Sequence, residues 1–250
     1  MEVTIKTTEE IEKLKQGGHL LSEVLNVVAK AVKPGVTPEE LDLLARKLIK
    51  EGGATPSFLH YGNPPYPAAL CVSPNEVIVH GIPHNRPLKN GDIVGLDCGL
   101  WYQDLCTDMA LTVPVGNISV ELKKLLKVTK QSLMEGLKQV KAGNTTGDIG
   151  YAVQSYVEKH GFSVIRELTG HGVGYEVHEA PAIPNFGKPK SGTVLKTGMV
   201  IAIEPMVAVG AWPIKILAND WDVAMKDNSF SAHFEHTVVV TDKGFELITA

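Results

Sequence analysis

The segment KPGVTPEELDLLARKLIKEGG (residues 33–53) recurs as KAGNTTGDIGYAVQSYVEKHG (residues 141–161), 108 positions further along the chain. In the first copy, Thr37 and Glu40 have the spacing of a capping box, and apolar residues follow at helical intervals. Glycines occupy equivalent positions near both ends of the two copies. Each copy is therefore predicted to be an amphipathic helix that begins and ends at matched positions.

A second pair of segments shows nearly the same displacement. LKNGDIVGLD (residues 88–97) matches LKTGMVIAIE (residues 195–204) at a shift of 107 positions. Both have the pattern of a buried strand that ends in a carboxylate, Asp97 in one and Glu204 in the other. Two segments with almost one shift predict a duplicated unit, and chance similarity is the alternative explanation.

A further helix is predicted ahead of each copy, the first capped at Thr7 and the second over residues 119–141. No linker rich in Gly, Ser or Pro separates the halves. We therefore predict an α+β fold in one domain, residues 1–250, with pseudo-symmetric halves of about 7–115 and 116–250. Helices are expected to back a curved, largely antiparallel sheet, with a pseudo-two-fold axis between the halves.

The composition is typical of a globular chain, with 44% hydrophobic and 21% charged residues among 250. The net charge of −4 argues against a nucleic-acid-binding protein, since such proteins usually carry a basic excess. Three cysteines are too few, and odd in number, for a disulfide framework. Because the sequence shows neither a signal-peptide pattern nor a membrane helix, we expect a cytoplasmic protein without membrane contact.

Four carboxylates hold related positions beside β-like runs. Asp97 and Glu204 end the matched strands, Asp108 precedes MALTVPV, and Glu235 precedes HTVVVT. A hairpin with its turn near residues 102–103 would place Asp97 directly opposite Asp108 on one face. If the pseudo-axis holds, all four acids converge on the midline of the sheet.

Four carboxylates cannot meet in a partly dry site without neutralisation, because like charges in contact are costly. One or two divalent cations would supply it, and a set of acids with one histidine favours Mn, Fe, Co or Zn. For any single acid, a solvated side chain at a strand end is the alternative. For four acids in symmetric places we favour a metal centre.

The run GHGVGYEVHE (residues 170–179) supplies two histidines. Glycines surround His171, so backbone or ligand can approach it closely and it is a candidate nitrogen ligand. His178 lies seven residues on, and His80 has a similar His-Gly setting in VHGIP. A lone histidine is more often a satisfied polar group. No comparable setting surrounds the remaining histidines, His19, His60, His84, His160, His233 and His236.

The runs HGIP, LDCGLWYQDLCTD, GHGVGYEVHE, MVIAIEP and SAHFEHTVVVT together resemble the type I methionine aminopeptidases. The likeness spans residues of about 6–249. It implies the pita-bread fold, which that family shares with proline-specific aminopeptidases and creatinase. It also implies two divalent ions per chain, Co, Mn, Fe or Zn.

Residue by residue, the resemblance implies the following roles. The metal ligands correspond to Asp97, Asp108, His171, Glu204 and Glu235. The catalytic groups correspond to His80, His178 and Glu204. The substrate-binding residues correspond to His80 and His178 and, around the methionine side chain, to Tyr61, Tyr66, Cys71 and Trp221. A monovalent cation would be held at Asn75 and Ser231.

The activity implied is removal of the N-terminal methionine from nascent proteins and peptides when the second residue is small. Hydroxide activated by two metals would attack the methionine carbonyl, with Glu204 moving the proton and His178 hydrogen-bonding the oxyanion. Nascent N-termini are the expected partners, with transient ribosome contact, and a monomer is the expected state. The segment at residues 63–65 looks longer than in the family, which leaves side-chain specificity open.

Three other functions compete with this interpretation. A proline-specific peptidase shares the fold, but we expect it to have a longer chain and further histidines in its own motifs. A non-catalytic binding module of the same fold would be expected to lack metal ligands, and all five are present. In a metal-storage or redox protein, His80 and His178 would have no substrate to bind.

Overall fold

The computed structural model describes residues 2–250 and contains four long helices. Their bounds are α1, Thr8–Ala31; α2, Pro38–Glu51; α3, Val120–Leu137; and α4, Thr146–Lys159. A hydroxyl side chain caps each N-terminus, at Thr7, Thr37, Ser119 and Thr145. This confirms the predicted helices, except that α3 ends before residue 141. There the backbone tightens, because Gln139 and Val140 donate to carbonyls only three residues back.

The strands are short except for one hairpin. In the first half they are β1, Thr55–Pro56; β2, Leu70–Pro74; β3, Val77–Val79; β4, Ile93–Tyr102; and β5, Leu105–Pro114. In the second half they are β6, Ser163–Val164; β7, Thr169–Gly172; β8, Glu179–Pro184; β9, Val200–Ile203; β10, Met206–Ala208; β11, Ile214–Ile216; β12, Val223–Met225; β13, Ser231–His233; β14, His236–Val240; and β15, Phe245–Leu247.

The strands form four antiparallel sheets rather than one continuous sheet. β1, β4, β2 and β5 form the sheet of the first half, and β15, β14, β9, β7 and β8 form the largest sheet of the second half. The two small sheets are β13-β10-β6 and β11-β12-β3, and the second joins strands from both halves. The mixed α and β architecture with antiparallel pairing confirms the predicted fold class.

The duplication predicted from the sequence is present in the elements. α2 and α4 both have 14 residues and begin 108 positions apart, each behind a threonine with a complete capping box. α1 and α2 cover one face of the first sheet with a core of buried aliphatic residues. α3 and α4 cover β9 and β14 in the same way. Alternation along each strand therefore turns the opposite face towards the middle of the molecule.

The two halves meet along β5, β13 and β14. The N–H of Glu235 donates to the Ala110 carbonyl at 2.8 Å. The Thr237 hydroxyl donates to the Asp108 carbonyl at 2.7 Å and accepts from its N–H at 3.2 Å. The Thr112 hydroxyl makes the same pair of bonds with His233. We call these three links the seam. The seam joins β5, which carries the predicted ligand Asp108, to the segment that carries the predicted ligand Glu235.

Two details of the predicted hairpin are wrong. The turn lies at Gln103 and Asp104, both with positive φ, so Asp97 pairs with Ala110 and Asp108 pairs with Gly99. The acids are diagonal neighbours on one face rather than directly opposite. In addition, Asp97 lies in the middle of β4, because the strand continues to Tyr102, whereas Glu204 does follow the end of β9.

Within residues 2–250, no helix has both the length and the apolar character needed to cross a membrane.

Candidate metal centre

A cavity of about 390 Å³ opens where the halves meet. Its walls contain every predicted catalytic, divalent-metal and substrate-binding residue: Tyr61, Tyr66, Cys71, His80, Asp97, Asp108, His171, His178, Glu204, Trp221 and Glu235. It also contains residues that the sequence had not indicated, among them Phe58, Val79, Leu168 and Met206. The sequence pattern did not predict these residues, because they lie on short strands and loops in which apolar residues show no periodic spacing.

The four predicted acidic ligands are buried together at the base of the cavity. Asp97 and Glu204 are 9% exposed, Asp108 is 3% exposed and Glu235 is 2% exposed. Among residues 2–250, one buried carboxylate oxygen of each of Asp97, Asp108 and Glu235 has no hydrogen-bond partner. Buried carboxylate oxygens normally have a partner, so these three require another explanation.

Burial and mutual repulsion perturb the ionisation of these acids. Burial raises the pKa of Asp97 to about 6, and the neighbouring Glu204 adds to the rise while His233 opposes it. Burial also raises the pKa of Asp108 and of Glu235 well above the ordinary range, and nearby carboxylates raise both further. The neighbouring side chains of the protein therefore supply too little positive charge to offset the burial of Asp97, Asp108 and Glu235.

His171 is placed between closely spaced backbones. It lies on β7, and a Cβ atom at Gly170 would stand 2.4 Å from the Ala202 carbonyl oxygen, while one at Gly172 would stand 2.3 Å from that of Ala180. Only glycine fits at both positions, which explains the glycines on either side of His171. Nδ1 of His171 is 2.9 Å from the Gly172 carbonyl oxygen, so that nitrogen carries the ring proton.

Glu204 lies between two histidines. Its Oε1 is 3.5 Å from Nε2 of His171, and its Oε2 is 3.3 Å from Nε2 of His233. Burial raises the pKa of Glu204, but the contacts with His233 and His171 outweigh that effect and lower it. His233 is 3% exposed and was not predicted to belong to the site. Its only sequence signal is its position two residues before Glu235.

These residues fit a divalent metal centre. Ligand atoms of Asp108, His171 and Glu235 lie within 4.8 Å of one another, close enough for one cation to reach all three. Oxygen donors with one nitrogen suit Mn, Fe, Co or Zn. A cation would also supply the partner that the buried carboxylate oxygens lack.

His178 occupies the rim of the metal site. Its ring contacts that of His171 edge to face, with centroids 4.4 Å apart. Its Nδ1 lies 2.8 Å from the Tyr61 hydroxyl. Burial, assisted by the neighbouring His171, lowers the pKa of His178 to about 4. The ring is therefore neutral near pH 7.

His80 follows β3 at the other side of the cavity. It has a positive φ of 59°, and burial lowers its pKa. The next residue, Gly81, is fixed from two sides, because its carbonyl accepts from the Tyr66 hydroxyl at 2.8 Å and from the Val72 N–H at 2.9 Å. This holds the His80 ring edge to face against Trp221, with centroids 6.0 Å apart.

An apolar wall adjoins the acids. Tyr66 and Trp221 pack edge to face, with ring centroids 5.0 Å apart, and Phe58 lies in the same buried cluster. Cys71 belongs to that cluster and pairs directly with Asp97 across β2 and β4. A slender apolar side chain could therefore enter between aromatic rings and a thiol while its backbone reaches the carboxylates.

Asn75 and Ser231, the residues suggested for a monovalent cation, are adjacent and hydrogen-bonded to each other. Ser231 donates to the Asn75 carbonyl through both its N–H, at 2.9 Å, and its hydroxyl, at 3.2 Å. The Asn75 side chain is held by Asp92 and Ile93. The Asn75 carbonyl therefore accepts two hydrogen bonds from Ser231.

The segment that bears His171 and His178 is anchored by the N-terminal residues. Lys6 and Glu179 form a buried ion pair with a distance of 2.6 Å between Nζ and Oε2. The Lys6 ammonium also lies 4.2 Å above the ring of Tyr175. No sequence pattern indicated this contact, which joins residues 173 positions apart.

Residues 12–242 match the metallopeptidase family M24. A methionine aminopeptidase from Clostridium acetobutylicum is 46% identical over 248 residues, covering 99% of this chain and 98% of that protein. The solved structure of methionine aminopeptidase from Rickettsia prowazekii covers all of both chains at 39% identity, with a TM-score of 0.97. An Xaa-Pro dipeptidase from Bacillus anthracis matches with a TM-score of 0.80 at 26% identity, covering 98% of this chain and 61% of that one.

Proposed function

The chain belongs to metallopeptidase family M24, and on that premise we propose that it removes N-terminal methionine from nascent proteins and peptides whose second residue is small. The observation that carries this proposal is the buried group of four acids and His171 beside an apolar wall in one cavity. The family is one of metal-dependent hydrolases, and relatives with full-length similarity are named methionine aminopeptidases.

Asp97, Asp108, His171, Glu204 and Glu235 are the proposed metal ligands. Four ionised carboxylates carry four negative charges, which two divalent cations would balance. This charge count, with the unpartnered oxygens, supports two ions of Co, Mn, Fe or Zn. When bound, such ions would activate water near neutral pH and polarise the substrate carbonyl. A monovalent cation at the backbone carbonyls of Asn75 and Ser231 is also part of the proposal, and it would share the Asn75 carbonyl oxygen with the donors of Ser231.

The chain's own residues would then carry the proton and hold the substrate. Glu204, which contacts His171 and His233, would accept the proton of the attacking water and pass it to the leaving amine. The neutral ring of His178 would donate a hydrogen bond to the carbonyl oxygen as negative charge develops there. His80 would contact the substrate beyond the scissile bond.

Tyr66, Cys71 and Trp221, together with Phe58, would enclose the methionine side chain. Burying that side chain is worth about 1.5–3 kcal/mol relative to leaving it in water. Tyr61 lies at the rim of the same cavity, where its hydroxyl contacts His178. The free α-amine of the substrate would face the acids and fix the register of the chain.

Nascent polypeptide N-termini are the proposed partners, which places the activity in the cytoplasm, with transient contact at the ribosome. All three cysteines are buried and free, as a reducing compartment would keep them. We propose that the protein acts as a monomer. It is proposed to be a single catalytic domain over residues 1–250.

A three-peptide panel tests the activity. Met-Ala-Ser, Met-Leu-Ser and Ala-Pro-Ser would be incubated with metal-free protein and with protein supplied with Co, Mn, Fe or Zn. We expect free methionine from Met-Ala-Ser alone, and only with metal. Equal turnover of Met-Leu-Ser would contradict the preference for a small second residue. Cleavage of Ala-Pro-Ser instead would move the protein to the proline-specific branch.

A further inference from the structure

Two neighbouring histidines have different partners at the same ring nitrogen. Nδ1 of His171 faces a backbone carbonyl, Gly172 O, at 2.9 Å, whereas Nδ1 of His178 faces the Tyr61 hydroxyl at 2.8 Å. A carbonyl can only accept a hydrogen bond, but a hydroxyl can donate one. The partner at one ring nitrogen decides which nitrogen carries the proton.

The consequences for the two rings are opposite. The carbonyl holds the proton of His171 on Nδ1 and leaves the Nε2 lone pair free, which is what a metal ligand needs. A hydroxyl that donates to Nδ1 of His178 leaves the proton on Nε2, which is what a hydrogen-bond donor to substrate needs. The two rings are in edge-to-face contact, so two adjacent histidines carry their protons on different ring nitrogens.

Tyr61 is held in place by its own loop. Its N–H donates to the Phe58 carbonyl at 2.9 Å, and its carbonyl accepts from the Tyr66 N–H at 2.7 Å. The His60 N–H closes the loop onto the Tyr66 carbonyl at 2.8 Å. The side chain is nevertheless 38% exposed, so packing alone does not explain its direction. Among residues 2–250, His178 is the only hydrogen-bond partner of the Tyr61 hydroxyl.

We propose that Tyr61 is a positioning residue for His178: its hydroxyl donates to Nδ1, keeps the ring proton on Nε2 and orients that N–H for the substrate carbonyl oxygen. The kinetic part of this inference rests on the proposed function. The contact joins a loop of the first half to the histidine segment of the second half, 117 positions away. Tyr61 thus acts on the reaction through His178, in addition to lining the cavity.

Nitrogen NMR of the histidine rings tests the tautomer directly. The sample is the zinc-loaded, ¹⁵N-labelled protein, and His178→Gln identifies the signals of His178 by their loss. We expect wild-type His178 to be protonated on Nε2, and Tyr61→Phe to shift it to a mixture of tautomers. Tyr151→Phe, which alters an exposed tyrosine of α4, is the matched control and leaves the His178 signals unchanged. A His178 tautomer that is the same in Tyr61→Phe and wild type overturns the proposal.

Kinetics on Met-Ala-Ser supply the second readout. We expect Tyr61→Phe to lower kcat about tenfold with KM changed less than about twofold. In a His178→Ala background the same substitution should change kcat less than about twofold, because its effect passes through the missing ring. An equal loss in both backgrounds would show that Tyr61 acts independently of His178. If wild-type protein releases no methionine, the proposed function fails, while the NMR measurement still decides the tautomer.

Discussion

Glu204 has a different histidine at each of its carboxylate oxygens, and the proposed proton transfer depends on that arrangement. His171 occupies one side at 3.5 Å and His233 the other at 3.3 Å. Within residues 2–250, Nε2 of His233 has no hydrogen-bond partner, and its 3.3 Å contact with Glu204 is an ion-pair distance. Because His171 is the proposed metal ligand, we expect His233 to hold the second oxygen by closing this contact into a hydrogen bond. Hydrogen bonds to a charged group contribute about 1.5–3 kcal/mol.

We therefore expect His233→Ala to lower kcat about tenfold or more, with the metal content of the protein unchanged. His233→Gln keeps an N–H donor of similar reach and should recover most of the loss. Steady-state kinetics, together with the metal content of each variant, check this. A His233→Ala variant with wild-type kcat would show that Glu204 does not need this contact.

His178→Ala removes the proposed donor to the developing oxyanion. Loss of one such donor typically costs about 3–4 kcal/mol, so kcat should fall about a hundredfold or more. Metal content should be unchanged, because His178 is not a proposed ligand. An unaltered kcat on Met-Ala-Ser would refute its role.

At the scale of single residues, the sequence indicated most of the cavity. Motif positions gave eleven of its residues, from Tyr61 to Glu235. They did not indicate His233, which contacts Glu204 but is not among the residues that line the cavity. Its place beside Glu204 depends on β13 meeting β5 across the seam. Phe58 was missed because it lies in a loop without periodicity. Distances between side chains brought together by long-range pairing cannot be derived from spacing along the chain.

Among the elements, the N-terminal segment and the histidine segment act together. The ion pair of Lys6 and Glu179 is buried on both sides, and Glu179 directly follows His178. The N–H of Cys106, at the start of β5, donates to the Gly174 carbonyl at 2.7 Å. The segment, which belongs to the second half, is therefore held at two points by residues of the N-terminal part of the chain.

Lys6→Met should destabilise the fold by about 3–5 kcal/mol at neutral pH, because it leaves a buried carboxylate without its partner. Burial raises the pKa of Glu179, but the hydrogen bonds from Lys6, Thr4 and the Tyr175 N–H, together with the charge of Lys6, outweigh this and lower it below its usual 4.5. A group with a lowered folded pKa stabilises the fold above its usual pKa, and the contribution is lost as pH falls through the folded value. The difference between wild type and variant should therefore shrink below pH 4.5.

Thermal unfolding of both proteins between pH 3.5 and about 7.5 measures this. Lys13→Met is the control, since Lys13 pairs with the exposed Glu9 and such surface pairs contribute little to stability. A loss of stability for Lys6→Met that is constant across this pH range would contradict the ion-pair explanation.

Helices could be predicted more closely than the hairpin. Helix caps are formed by residues close together in the sequence, and Thr37 and Thr145 cap α2 and α4 as expected. The register of β4 and β5 was predicted wrongly because the two turn residues, Gln103 and Asp104, have positive φ, and neither is the glycine that usually marks such a turn. One change in turn position moves every cross-strand pair.

For the whole molecule, the seam explains why two similar halves form one site. Asp108, Thr112 and Ala110 on β5 each bond a residue of the second half, among them Glu235. Repulsion among four buried acids opposes this closure unless cations offset it. The metal ions are therefore expected to contribute to stability as well as to catalysis.

Removing the metal with a chelator should lower Tm by about 10 °C while leaving one cooperative transition. A site filled at a thousand times its Kd contributes about 4.1 kcal/mol, and about 1 kcal/mol shifts Tm by 2–4 °C at this chain length. Calorimetry checks this, with re-addition of metal restoring Tm. Asp97→Asn, which removes a proposed ligand, should respond less to the chelator. An unchanged Tm on metal removal would mean that the acids are not held together by cations.

The most direct test of metal-dependent methionine removal is a metal titration of activity. Metal-free protein would receive increasing Co or Mn, and free methionine released from Met-Ala-Ser would be measured at each step. We expect no release without metal and a rate that levels off at two equivalents per chain. A folded protein that binds two ions but releases no methionine would contradict the account and favour a non-catalytic binding module.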